Sequence, residues 1–152
     1  MSVEIAVIYA TRKPWVPPRR QIARWVRAAL GRNRGAWSLG VRIVGHAESR
    51  RVNRQYRHRD RPTNVLSFNA TMREADGRRL LGDLVVCAPV IAREAREQGK
   101  SRTAHWAHMI VHGTLHLRGY DHERDADAQR MERRERAVLG HLGYPDPYEV
   151  TQ

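Results

Sequence analysis

The sequence is poor in the features that would mark it as secreted, disulfide-bonded or membrane-bound. It has one cysteine, Cys87, in 152 residues, which excludes an internal disulfide and is typical of a reducing cytosol. It has no apolar run of about 18 residues, and its first residues lack the basic segment of a signal peptide. We therefore expect a cytoplasmic protein without a membrane segment, in which Cys87 is a buried structural thiol.

Lysine is also scarce, and acidic residues are outnumbered. Only Lys13 and Lys100 are lysines among the 28 basic residues, so 26 are arginines, against 16 aspartates and glutamates. The resulting net charge of +12 and pI near 11.2 favour a polyanionic partner, with RNA or DNA as the first candidates. An arginine excess also arises from genomic base composition, so the position of the charges matters more than their number.

Hydrophobic periodicity predicts a single α+β domain over residues 1–152, with about four strands in a mixed sheet and four to five helices. Alternating or continuous apolar runs predict strands at residues 3–9, 36–45, 64–70 and 80–88, with a polar connection at 71–79. Helical spacing and end signals predict helices at residues 19–30, 46–57, 89–97, 101–117 and 125–139. Ser101 is the expected N-cap of the fourth helix.

Three of the eight histidines stand in one short stretch, "VHGTLHLRGYDH". His112 and His116 are four residues apart, so on a helix their rings point the same way. Gly119 lets the chain leave the helix through a left-handed conformation, which would bring His122 back to the same point. Three imidazoles with a fourth position left to water are typical of a catalytic zinc site, here at the end of a helix.

The remaining acidic and histidine side chains near this stretch have less specific interpretations. Asp121 either orients an imidazole from behind the metal or caps the following helix. His105 and His108 precede the ligands on the same helix, and we interpret them as hydrogen-bonded polar residues or as groups behind the ligands. The other histidines are expected to be structural or on the surface: His46, His58 and His141.

Gly113 occupies the position at which metalloproteases of the H-E-x-x-H type carry their general base. The ligand frame is therefore present without the usual proton acceptor. Either a metal-bound water, acidified toward a pKa of about 7, or the 2′-hydroxyl of an RNA substrate could serve as the nucleophile.

An arginine-rich stretch, "RRVNRQYRHRDRPTNVLSF", leads into the third strand. Arginines beside an aromatic residue, Tyr56, suit single-stranded RNA through phosphate contacts and base stacking. A charge run of this kind is otherwise a solvated surface. The candidate RNA-binding residues are Arg50, Arg51, Arg54, Arg57, Arg59 and Arg61.

Several motifs, in the same order, resemble the YbeY family of bacterial metal-dependent endoribonucleases. They are "YRHRDRPTNVLSF", "LLGDLVVC", "EQGKSRTAHWAHMIVHGTLHLRGYDH" and "LGYPDPY", from about Arg50 to Tyr148. One departure is Asn69 after "LSF", where the family commonly has proline. This change should affect the end of a strand rather than the site.

The resemblance implies a single α+β domain with a metal at the base of a basic cleft. The metal-binding histidines of the family fall on His112, His116 and His122, and its functionally important arginine falls on Arg57. The implied activity is cleavage of single-stranded RNA in the maturation of small-subunit (16S) ribosomal RNA and in ribosome quality control. The implied partners are ribosomal RNA and the small ribosomal subunit, in the cytoplasm.

Together, the motifs and the resemblance give a catalytic set of Arg57, His112 and His116 and one Zn²⁺ per chain. Three imidazoles also accept nickel and other first-row ions. Two other functions fit part of the sequence. One is a zinc hydrolase of another substrate such as peptides, which the histidine frame supports. The other is a non-catalytic ribosome assembly factor, in which the metal only pins the C-terminal helices to the sheet.

Overall fold

The computed structural model describes residues 3–32, 35–73 and 75–149. The described chain contains four strands and five helices, and they do not follow a regular βαβ repeat, which places the protein in the α+β class. Their order is β1 Val3–Tyr9, α1 Arg19–Leu30, β2 Trp37–Val44, α2 His46–Arg57, β3 Val65–Arg73, β4 Arg79–Cys87, α3 Ala88–Glu97, α4 Arg102–Leu117 and α5 Asp125–Leu142.

The strands form one mixed sheet in the order β1-β2-β4-β3. The pairs β1/β2 and β2/β4 are parallel, and β3 joins the edge antiparallel to β4. Among the described strands, β3 pairs with β4 alone and therefore lies at an edge of the sheet. The predicted α+β fold with a four-stranded mixed sheet is confirmed.

Helix α4 is the centre of the helical layer. It packs against β3 and β4 and also against helices α1, α3 and α5. Its buried side chains include Trp106 and Ile110, and Trp25 of the neighbouring helix α1 is also buried. Burial of large side chains of this kind contributes about 1.5–3 kcal/mol each, which fixes the helix that carries the histidines.

The structure extends three predicted elements. Strand β3 continues to Arg73 and β4 begins at Arg79, where a polar connection over 71–79 was expected. The extra residues are paired, with Arg73 opposite Arg79. Ladder hydrogen bonds use the backbone, so polar side chains on an edge hairpin do not prevent them. Helix α5 passes through Gly140 and ends at Gly143, whose φ of +93° is a left-handed helix stop.

Cys87 is buried and free, as expected, in a small apolar cluster with Val44 and Val90. Among the described residues, none of the helices combines the length and apolar character needed to cross a membrane.

Candidate metal centre

Helix α4 delivers two histidines to one end of the molecule. Ser101 caps its start, since the Ser101 Oγ accepts a hydrogen bond from the Ala104 N–H at 3.1 Å, and the predicted N-cap is confirmed. At the other end Gly119 has φ of +98°, and the Tyr120 N–H bonds back to the Leu115 carbonyl at 3.1 Å. This left-handed stop reverses the chain.

The reversal places His122 against the two helical histidines. The ring centroids of His112 and His116 are 4.8 Å apart, those of His116 and His122 are 4.8 Å apart, and those of His112 and His122 are 5.7 Å apart. One ring nitrogen from each lies within 4.8 Å of the other two, so the three residues could hold a metal ion. Neutral imidazoles suit zinc and other first-row transition metals.

The electrostatics of the cluster favour a neutral ring at His116. Burial, followed by the neighbouring His112 and His122, lowers the pKa of His116 to about 4. A neutral imidazole is the form that binds a metal. The fold therefore keeps His116 ready for coordination at neutral pH.

His112 is held from behind by Glu135 of α5, a carboxylate that is 1% exposed. The His112 Nδ1 is 3.3 Å from the Glu135 Oε1, and the His108 Nε2 is 2.6 Å from the Glu135 Oε2. The Tyr148 hydroxyl donates to the same carboxylate at 2.9 Å. With its Nδ1 occupied in this way, His112 offers its Nε2 to a metal.

Glu135 is ionised in this environment. Burial opposes ionisation, but hydrogen bonds from His108 and His112 outweigh it and lower the pKa of Glu135 to about 2. Burial and the Glu135 charge raise the pKa of Tyr148, which therefore remains a donor. Burial also lowers the pKa of His108, which favours its neutral ring.

The contribution of Glu135 was missed in the sequence. It lies on a different helix, and its spacing from the histidines carries no local signal. The one indication is its register on α5, where an acidic residue falls between Met131 and Val138 on an otherwise buried stripe. An acidic side chain at a core-facing position requires partners.

Asp121, predicted to orient an imidazole or to cap the next helix, does neither within the described chain. Its Oδ1 accepts the backbone N–H groups of His122 at 2.6 Å and Glu123 at 3.2 Å. Helix α5 begins later, with Arg124 as its N-cap. Asp121 therefore shapes the loop that presents His122, because a turn of this kind fixes the backbone at the ligand. The position behind an imidazole is held by Glu135 instead.

The remaining histidine of α4 has a partner of its own. The His105 Nε2 is 2.9 Å from the Glu94 Oε1, far along the helix from the metal cluster. His46, His58 and His141 are all exposed, as expected for surface residues.

Gly113 lies where α4 packs against the sheet. A Cβ at this position would be 2.9 Å from Cδ2 of Leu84 and 3.1 Å from Cγ2 of Val65. The position next to His112 therefore faces packed strand side chains. A glutamate does not fit there, so the absent general base has a packing reason.

Edge strand β3 runs beside the histidine-bearing turns of α4. The Ser67 Oγ donates to the Gly113 carbonyl at 3.1 Å, and the Asn69 amide donates to the Leu117 carbonyl at 3.3 Å. Asn69, where the family commonly has proline, thus makes a helix-to-strand contact that proline lacks.

Arg57 meets this strand from the end of α2. Its Nη2 donates to the Ser67 carbonyl at 3.0 Å and its Nη1 to the Tyr56 carbonyl at 3.3 Å. The guanidinium carbon stands 4.9 Å from the centre of the Phe68 ring. Through Ser67, Arg57 is linked to Gly113, the neighbour of His112.

The other candidate arginines are not equivalent. Arg50 forms a two-point ion pair with Asp60, at 2.7 and 2.9 Å, which offsets its charge. The other four side chains are exposed, which leaves them accessible to a ligand. They are Arg51, Arg54, Arg59 and Arg61.

Comparison with known proteins agrees with the motifs. The family model described as endoribonuclease YbeY matches residues 12–143. Endoribonuclease YbeY of Nitrosococcus oceani is 46% identical over 151 residues, covering 98% of this chain and 99% of that protein. The protein of the same name from Halorhodospira halophila is 53% identical over 136 residues and 88% of each chain. That of Alkalilimnicola ehrlichii is 49% identical over 156 residues, covering 100% and 93%.

A solved structure supports the fold. The solution structure of a Thermotoga maritima protein superposes with a TM-score of 0.55 at 22% identity, covering 95% of this chain and 99% of that one. The family model and the three relatives span most or all of the sequence, and the model includes every quoted motif except the end of "LGYPDPY". The chain therefore belongs to the endoribonuclease YbeY family.

Proposed function

We propose that residues 1–152 form one metal-dependent endoribonuclease domain that cleaves single-stranded RNA with a zinc ion held by His112, His116 and His122. The observation that carries the proposal is the convergence of three imidazoles beside the strand that anchors Arg57. Membership of an endoribonuclease family supports the reaction type. Imidazole ligands favour zinc, and nickel or another first-row ion would fit the same donors.

The bound metal would supply Lewis acidity toward a phosphoryl oxygen of the scissile linkage. His112, His116 and His122 would hold it, Glu135 contacts the His112 ring, and the Asp121 turn shapes the backbone at His122. Helix α4 has no glutamate beside His112 to act as a base, because that position is Gly113, which is packed on the sheet. We assign the charge on the reacting phosphate to Arg57 as well as to the metal, because Arg57 is anchored to the strand that contacts α4 beside His112.

Arg57 has the right properties for a catalytic residue that touches the phosphate. Its guanidinium has five N–H donors, and two of its nitrogens already bond the Ser67 and Tyr56 carbonyls. About three N–H groups remain for phosphate oxygens. Because the anchored fork needs little ordering, it can stabilise charge that develops in the transition state.

Tyr56 and Phe68 offer a stacking surface for an unpaired base. Their rings meet edge to face with centroids 5.4 Å apart, and Tyr56 is 55% exposed. Base stacking on an aromatic ring needs an unstacked nucleotide and contributes about 1–3 kcal/mol per base. This favours single-stranded RNA over a duplex, with Arg51, Arg54, Arg59 and Arg61 contacting the backbone nearby.

In the cell, the proposed role is maturation of small-subunit (16S) ribosomal RNA and ribosome quality control, in the cytoplasm and on the small ribosomal subunit. Its support is the family membership together with the basic, aromatic surface beside the metal centre. Mapping the ends of 16S ribosomal RNA in cells that carry Arg57→Ala should reveal unprocessed precursor.

The direct test is cleavage of a single-stranded RNA by purified protein, stripped of metal and reloaded with zinc. His116→Ala should lose both zinc and activity. Arg57→Ala should keep zinc and lose about 10²–10³-fold in rate. Arg24→Ala, which removes an exposed arginine of α1, is the matched control and should retain activity. Undiminished cleavage by metal-free His116→Ala would contradict the proposal.

The product ends identify the nucleophile. A 2′,3′-cyclic phosphate shows attack by the RNA 2′-hydroxyl, whereas its absence throughout the time course shows attack by water. RNA or ribosome binding without cleavage under any metal would instead support the assembly-factor interpretation.

A further inference from the structure

Glu135 is a charged side chain in a place that should be apolar. It is 1% exposed on the inner face of α5, beside Met131 and Leu139, which are equally buried. Burying a carboxylate is costly unless hydrogen bonds replace its water. Here the Tyr148 hydroxyl donates to it at 2.9 Å, and the ring nitrogens His108 Nε2 and His112 Nδ1 lie 2.6 and 3.3 Å from its oxygens. These three polar neighbours replace the water that the carboxylate loses on burial.

His112 stands between this carboxylate and the other two candidate ligands. Its Nδ1 faces Glu135, while its ring lies 4.8 Å from that of His116 and 5.7 Å from that of His122. An Nδ1–H bonded to a carboxylate fixes the tautomer in which the Nε2 lone pair is free. The same bond fixes the plane of the ring and makes the Nε2 lone pair a stronger ligand for a metal.

We propose that Glu135 is the positioning residue of the metal centre, which holds His112 in its metal-binding tautomer and orientation. Tyr148 supports it from the C-terminal segment through its hydroxyl. The inference rests on the proposed metal binding by the three histidines. It assigns Glu135 no contact with substrate, since the His112 ring separates it from the metal position.

A second metal ion is the competing explanation, because His108, His112 and Glu135 also present ligand atoms within 4.8 Å of one another. The distances favour a hydrogen bond between His108 and Glu135 over a metal ion bound by both. Two ligands of one tetrahedral zinc, each about 2.0–2.1 Å from it, lie about 3.3 Å apart. The His108 Nε2 and the Glu135 Oε2 are only 2.6 Å apart, which is a hydrogen-bond distance.

The test is zinc affinity, measured by competition with a chromophoric chelator on the purified full-length protein without RNA. Glu135→Gln keeps the size of the side chain and removes its charge, and it should weaken zinc binding about 10–100-fold. Glu94→Gln is the matched control. Glu94 of α3 lies 2.9 Å from His105, which is on the same helix as His112, and it contacts none of the candidate ligands. This variant should stay within about twofold of wild type.

The tautomer of His112 provides a readout that a merely structural role would not change. In the metal-free wild type, histidine ¹⁵N NMR should show His112 with its proton on Nδ1, and in Glu135→Gln the Nε2–H form should become populated. If Glu135→Gln does not fold, Tyr148→Phe tests the same chain of contacts, with an expected affinity loss below about tenfold.

Equal zinc affinity in wild type and Glu135→Gln would overturn this inference alone and leave the proposed metal site intact. Two zinc ions per wild-type chain would also overturn it, in favour of the second metal. No zinc binding by the wild type would overturn both this inference and the proposed function.

Discussion

Replacing Gly113 by alanine tests the packing explanation for the missing general base. In a helix interior, alanine is more favourable than glycine by about 1 kcal/mol. At Gly113 the added Cβ meets Leu84 at 2.9 Å and Val65 at 3.1 Å. Leu84 is fully buried, so it has little room to move. Overpacking of this kind costs about 1–3 kcal/mol, which leaves Gly113→Ala less stable than wild type by about 0–2 kcal/mol.

Gly140 provides the matched control, because it is a helical glycine of α5 with no heavy atom within 4 Å of an added Cβ. Gly140→Ala should therefore gain up to about 1 kcal/mol. The two alanine variants should differ by about 1–3 kcal/mol in the free energy of unfolding. Urea denaturation with a shared m-value measures this difference, and in melting temperature it corresponds to about 2–4 °C per kcal/mol.

A Gly113→Ala protein as stable as Gly140→Ala would refute the reasoning, since the sheet would then have room for a side chain. In that case, the absence of the glutamate from α4 would need a chemical rather than a steric explanation. Gly113→Glu should be far less stable than either, and it should not create a proton acceptor at the metal.

Two further predictions concern stability. Ser101→Ala removes the side-chain cap of α4 and should cost about 1 kcal/mol by urea denaturation, and no loss would show that the Ala104 N–H finds water equally well. The lowered pKa of His116, about 4 against 6.5, means that the metal-free fold prefers the neutral ring. Stability should therefore be lost as the pH falls from about 6.5 to about 4. His116→Gln should show a smaller loss over this range, and an unchanged pH dependence would contradict the assigned neutral state.

Most of the fold was accessible from the sequence because its signals are local. The helix over 46–57 and the strand over 3–9 were predicted with the bounds that the structure shows. The hairpin of β3 and β4 was underestimated, since residues such as Arg73 and Arg79 pair through their backbones and leave no hydrophobic pattern. Sheet order is likewise set by which faces pack together, and periodicity does not report it.

The site divides in the same way. His112 and His116 share a helix face through their spacing, and the left-handed stop at Gly119 turns the chain back. Local geometry therefore predicts that His122 meets them. Glu135 was not predictable, because its meeting with His112 depends on how α5 crosses α4. The ion pair of Arg50 with Asp60 also joins a helix to a later loop. It distinguishes Arg50 from the other candidate arginines, a difference that composition alone does not show.

Two positions near His112 could carry a carboxylate, the next residue on α4 and the position behind the ring, and only the second one does. In the protease pattern a glutamate next to the first ligand reaches the metal side and takes a proton. Here that position, Gly113, is pressed against the sheet, and the carboxylate that does touch His112 comes from α5 behind the ring. Glu135 can orient the ligand but is too buried to accept a proton from a substrate. Under the proposed function, Arg57 is the cation assigned to the substrate, and a cation without a neighbouring base suits a phosphodiester better than the hydrolysis of a peptide bond. The packing at Gly113 is therefore one reason to propose RNA rather than a peptide as the substrate.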